Sequence, residues 1–177
     1  SPEILLKMDA LKNQSNLNLS VAEAQQKILL SGRLNHSTDQ PVYSFQLNLD
    51  SLDGMHWTGR KELQSSINGS VYIQGNGTNI EENDVQTHGT FENVSYGGYK
   101  MNNLRFNINK KQANIKGEVK ADAWFGDLAT HFSLKDLFSR LKYDVEGDFQ
   151  KINLAKLSGD LKHSSNLNFK FHATGSG

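Results

Sequence analysis

The sequence has no cysteine, so neither a disulfide frame nor a thiolate metal site is open to it. Proline is nearly absent, with two in 177 residues. A sheet whose strands nearly all need their N–H groups for pairing tolerates little more. No charge of one sign dominates, because 19 basic residues balance 19 acidic ones. A nucleic-acid binder needs a basic footprint to displace counterions from phosphates. The densest basic cluster here is Lys110-Lys111, so nucleic acid is not an expected partner. Apolar runs fall short of the roughly 20 residues that cross a bilayer as a helix. Ser1 opens no signal-peptide pattern either, so any export signal or anchor is expected outside this segment.

Catalytic patterns are missing as well. The six histidines, His36, His56, His88, His131, His163 and His172, show no His-x-His or HExxH spacing and read as a scattered surface set. There is no Gly-x-Ser-x-Gly elbow. Gly75-Asn-Gly77 lacks the Gly-Lys-Ser/Thr of a phosphate loop and ends a strand without opening a helix. The expectation is therefore no enzyme, no catalytic residue, no cofactor and no metal. Six Asn-x-Ser/Thr triplets are what chance gives in a chain this rich in asparagine.

What the sequence does have is alternation. Ile67-Asn-Gly-Ser-Val-Tyr-Ile-Gln-Gly-Asn-Gly77 puts every second side chain on one apolar face, and Leu167–Gly177 repeats the design 100 positions later. Tyr43 matches Tyr143, Leu49 matches Phe149, Leu52 matches Ile152, Gly59 matches Gly159 and Asn68 matches Asn168, without a gap. Two successive units, about 1–77 and 78–177, are expected within one β-rich array. Val42–Leu49 is the cleanest strand, with Tyr43, Phe45, Leu47 and Leu49 on one side and Ser44, Gln46 and Asn48 on the other. Ten or eleven strands follow from such segments, joined mostly by short turns and so antiparallel. The expected turns include Lys110-Lys-Gln112 and Tyr96-Gly-Gly-Tyr99, with a helical turn near Leu52–Trp57.

An apolar face of this extent needs a cover, because each buried aliphatic or aromatic side chain contributes about 1.5–3 kcal/mol. No segment is long and amphipathic enough to be a covering helix. A closed sandwich or barrel remains, or an open trough lined for something greasy. Gly32, Gly69, Gly89, Gly117, Gly126 and Gly147 fall inside strands, where bulges or the bends of a curved sheet are expected. Trp57 and Trp124 are expected in the core, with a sugar platform as the functional alternative.

The cadences Gly75-Asn-Gly-Thr-Asn-Ile80, Tyr96-Gly-Gly-Tyr99 through Phe106, Ile152-Asn-Leu-Ala-Lys-Leu-Ser-Gly-Asp-Leu161 and Leu167–Gly177 resemble the AsmA/TamB family of bacterial envelope proteins. That family is distantly related to the bridge-like lipid transfer proteins, and the resemblance covers about residues 40–177. It implies an all-β fold in which a strongly curved, mostly antiparallel sheet forms a U-shaped trough, a β-taco, with an apolar lining. It also implies a periplasmic segment tethered to the inner membrane in a longer protein. Such a segment shields phospholipid acyl chains or hydrophobic polypeptide during outer-membrane biogenesis, in contact with outer-membrane assembly machinery. The residues expected to line the trough are Tyr43, Phe45, Leu47, Leu49, Ile67, Val71, Ile73, Phe91, Leu104, Phe106, Ile108, Ile115, Val119, Tyr143, Val145, Phe149, Leu167, Phe169 and Phe171. The alternative is a closed β-sandwich that binds a glycan or a protein.

Overall fold

The computed structural model describes residues 2–96, 99–158 and 164–177. Eleven strands carry the chain: β1 (Glu3–Leu11), β2 (Gln14–Glu23), β3 (Gln26–Asn35), β4 (Val42–Leu52), β5 (Ser65–Asn76), β6 (Asp84–Tyr96), β7 (Tyr99–Lys111), β8 (Asn114–Ala123), β9 (Gly126–Lys135), β10 (Lys142–Ile152) and β11 (Leu167–Ser176). Two short helices, α1 (Gly54–Thr58) and α2 (Leu154–Ser158), follow β4 and β10. The fold is all-β, 70% strand and 8% helix.

All eleven strands form one antiparallel sheet in which order in space is order in sequence, β1 to β11. Each strand packs on its sequence neighbours, and the sheet does not close. The closed sandwich allowed by the sequence is therefore not the architecture: among the described residues no second layer covers the sheet. The reason lies in the connections. Two-residue turns such as Ala24-Gln25 and Trp124-Phe125 return the chain at once beside the strand it has left, so no strand crosses to another layer.

The two ends of the sheet repeat each other at 100 residues. Leu11 faces Gln14 as Lys111 faces Asn114, Leu34 faces Tyr43 as Leu134 faces Tyr143, and Leu52 faces Ile67 as Ile152 faces Leu167. The bulge between Leu49 and Leu52 returns between Phe149 and Ile152. At that bulge Ser51 and Lys151 take the same left-handed φ, 53° and 54°. Each then donates its N–H to the Oδ1 of Asn68 or Asn168 at 2.8 Å. The hydroxyls of Ser65 and Ser165 accept the N–H of Gly54 and Leu154, again at 2.8 Å. These side chains satisfy backbone donors that the bulge removes from the ladder. The match spans residues 3–76 and 103–176, and β6 lies between the two copies.

Four of the strand-interior glycines make room for aromatic rings. A Cβ on Gly32 would fall on the ring of Phe45, on Gly89 on that of Phe106, on Gly117 on that of Phe132, and on Gly147 on that of Phe171. Each glycine is the seat of an aromatic ring leaning across from the next strand. Gly69 alone of the six expected positions stands at a register shift. Strand ends differ from expectation by up to three residues: β4 runs on from Leu49 to Leu52, and β7 runs to Lys111, into the turn expected at 110–112. Gly97, Gly98, Gly159 and His163 lie outside the described residues.

Candidate apolar binding face

Cross-strand partners in a ladder point to the same face, so the register shows which side chains gather. One row runs Leu17, Gly32, Phe45, Ile73, Thr87, Ile108, Gly117, Phe132, Val145, Ala173. The next runs Leu19, Leu30, Leu47, Val71, Gly89, Phe106, Val119, Thr130, Gly147, Phe171. Leu49 and Phe91 flank Gly69, Phe91 faces Leu104, and Phe149 faces Phe169 on the same side. Tyr43 and Tyr143 each face a glycine, Gly75 and Gly175, and Ile115 stands in that row between Lys110 and Leu134. Ile67 and Leu167 close the far end opposite Leu52 and Ile152. The sheet thus brings all the residues expected to be apolar onto one face.

That face is not sealed. None of those residues is buried; most are half-buried, and Tyr143, Leu167, Phe169 and Phe171 are exposed. Among the described residues only Ala121, Ile152 and Ala155 are buried apolar side chains. The accessible surface is 11787 Å². A compact monomer of this mass exposes about 8,600 Å², so the open sheet leaves roughly a third more in water. Eleven strands about 4.8 Å apart and ten residues long present a face of about 1,700 Å². The largest apolar patch on an ordinary monomer is about 300–600 Å². Rings stabilise the face from within: Phe149 stacks on Phe169 at 4.8 Å and 9°, and Phe91 on Phe106 at 6.3 Å.

One cation interrupts the apolar rows. Lys110 faces Val85 and Ile115, and its Nζ donates to the Asn83 carbonyl at 3.0 Å while lying 6.0 Å from the Phe138 ring. The strict alternation of Phe106, Ile108 and Lys110 carries that signal in the sequence, although only the two apolar members were expected on the face.

The opposite face is polar and holds shallow grooves. One, of about 640 Å³, runs along Arg33, Ser44, Gln74, Gln86 and Asn109 and reaches Tyr43, Gly75 and Lys110 at the strand ends. Near the β11 edge, Asp144, Glu146 and His172 place ligand-type atoms within 4.8 Å of one another, and all three are exposed. His172 Nε2 meets Asp144 Oδ1 at 2.8 Å. Linear spacing missed this trio because its members come from two paired strands. Neither tryptophan is buried in a core as expected, because the single-layer sheet offers little core to enter. Trp57 is half-buried, its Nε1–H donating to Gln26 Oε1 at 2.7 Å, and Trp124 packs 5.3 Å from Tyr99. Among the described residues two charged groups are shifted. Hydrogen bonds from its own backbone N–H and from Arg60 lower the Glu62 carboxyl, and the hydrogen bond to Asp127 raises the Lys151 ammonium. Both are at the surface, away from the apolar face.

No protein-family profile, curated protein or solved structure matches this chain.

Proposed function

We propose that this segment is a hydrophobic surface that shields lipid acyl chains, or a similarly greasy polypeptide, while they cross an aqueous compartment. The observation that carries the reading is the broad apolar face across eleven strands, on which nothing is packed among the described residues. An acyl chain laid along the rows gains about 0.8 kcal/mol per buried CH₂. Lys110, at the margin of the face, is placed to meet an anionic headgroup. Curling of the sheet into a U-shaped trough would let it cover such a chain from both sides. The resemblance to AsmA/TamB repeats extends the proposal: a periplasmic location, tethering to the inner membrane through segments outside this sequence, and a role in outer-membrane biogenesis beside its assembly machinery. Among the described residues no helix is long and apolar enough to cross a membrane.

Native mass spectrometry of gently purified protein tests the reading, with co-purified phospholipid as the expected result. Val71→Asp and Phe171→Asp sharpen it. On an open face both variants keep the cooperative unfolding transition while binding of lipid and of a hydrophobic dye falls. If no lipid and no dye binds the folded protein, or if both variants unfold, the proposal is wrong.

A further inference from the structure

On the polar face the two copies of the repeat differ in kind at one place. A cross-strand row there reads Asn18, Ser31, Gln46, Tyr72 in the first copy and Glu118, His131, Glu146, His172 in the second. Beside it, Ser44 gives way to Asp144. Every one of these positions is neutral in the first copy and an imidazole or a carboxylate in the second. We propose that His131, Asp144, Glu146 and His172 form a binding site for a divalent transition-metal ion, best fitted by zinc, that clasps β9, β10 and β11 together. The site lies on the face opposite the apolar one and does not rest on lipid binding there. It uses side chains of three paired strands and nothing beyond β11.

Ligand-type atoms of Asp144, Glu146 and His172 already lie within 4.8 Å of one another. Around a tetrahedral zinc with bonds of about 2.0–2.2 Å, neighbouring ligand atoms stand about 3.4 Å apart. Small rotations of these exposed side chains reach that spacing, and His172 Nε2 and Asp144 Oδ1, now at 2.8 Å, part slightly. His131 completes the set. It faces Glu146 from β9 as His172 does from β11, and both imidazoles line one groove of about 540 Å³.

Glu118 stands on the other side of His131, its Oε2 3.9 Å from His131 Nδ1. A metal-bound imidazole commonly donates its second N–H to a carboxylate, which fixes the ring and raises its basicity. Glu118 is placed for that role and leaves His131 Nε2 to the ion. Lys120 also meets Glu118, at 3.1 Å, which marks this carboxylate as an orienting group rather than a ligand. Lys170 is held by Asp148 at 3.3 Å, so its ammonium does not fill the site. Imidazole nitrogens select zinc, copper and nickel, whereas calcium and magnesium take oxygen ligands.

Calorimetric titration of zinc chloride into the intact, chelator-stripped protein tests this. Saturation at a single ion per chain is expected, with excess calcium failing to compete. The urea midpoint should rise with zinc, because only the folded chain holds the site. Replacing all four ligands by their first-copy counterparts (His131→Ser, Asp144→Ser, Glu146→Gln, His172→Tyr) should abolish binding. Those residues already occupy this register in the first copy, so the metal-free variant should fold like the parent. Losing an outer partner alone costs about tenfold in affinity, so Glu118→Gln should do that and His131→Ser more. Absence of saturable zinc binding, binding kept by the fourfold variant, unchanged affinity in His131→Ser, or displacement by calcium overturns the proposal.

Discussion

Residues 3–76 and 103–176 share a register but fill it differently. In the row through Gly32, the first copy reads Leu17, Gly32, Phe45, Ile73, and the ring comes from β4 to seat on β3. In the second copy the same row reads Gly117, Phe132, Val145, Ala173, and the ring comes from β9 to seat on β8. One row over, Leu47 and Val71 become Gly147 and Phe171, which makes a new ring and seat. By contrast, Asn68 and Asn168, Ser65 and Ser165, and the Tyr–Gly pairs 43–75 and 143–175 stay the same. Side chains that hydrogen-bond to a bulge must keep their identity, because donor and acceptor geometry is narrow. An apolar row needs only to be filled, and large and small residues can trade strands within it.

Gly32→Phe alone should break that balance most, costing about 3 kcal/mol as two rings compete for one seat. Adding Leu17→Gly and Phe45→Val transplants the second copy's residues and should recover more than half of the loss, read from urea midpoints. If the triple variant is no more stable than the single one, the rows do not exchange bulk.

Gln26→Ala probes a place where the copies differ in chemistry. Gln26 Oε1 accepts from the Asp53 N–H at 2.8 Å and from Trp57. In the second copy Gly126 has no side chain, and the Asn153 N–H turns to the Phe125 carbonyl at 2.8 Å. Orphaning two half-buried donors should cost about 2 kcal/mol. Trp57 fluorescence should shift with it, and an unchanged midpoint would show that water replaces the amide freely.

Asn68→Ala and Asn168→Ala remove the same bond from a half-buried and an exposed site. The first should lower stability by about 1–2 kcal/mol and the second by less than about 1 kcal/mol, since water reaches the freed N–H at the edge. Equal losses in denaturant titrations would make burial irrelevant to the pair.

Lys151→Ser, which copies Ser51, should do least, because the Lys151–Asp127 bond at 2.6 Å is at the surface. The hydrogen bond to Asp127 raises the lysine's folded pKa, so its contribution is present at neutral pH. That contribution fades only as pH climbs through and past the ordinary lysine range. Matched urea titrations at neutral and strongly alkaline pH check the direction.

Much of this was legible in the chain. The alternation in Val42–Leu49 and Leu167–Ala173 reports its own period, and antiparallel pairing follows from short turns. The strand ends were harder to read because the turns lack the usual punctuation. Ala24 and Gln112 take φ values of 54° and 52° where glycine or asparagine is the common signal. What the glycines face was not legible, because a seat for a ring is defined by a residue on another strand. The trio at Asp144 was hidden for the same reason, being adjacent only across the ladder.

The order of the strands has a kinetic side. Every strand finds its partner in the hairpin it has just made, so no segment must wait for a distant one to arrive. Closing each loop costs little chain entropy, and the sheet can nucleate at any hairpin and grow outward one strand at a time. A chain delivered gradually from one end would therefore be folded up to its last complete turn at every moment, and its growing edge would be the only part still seeking a partner.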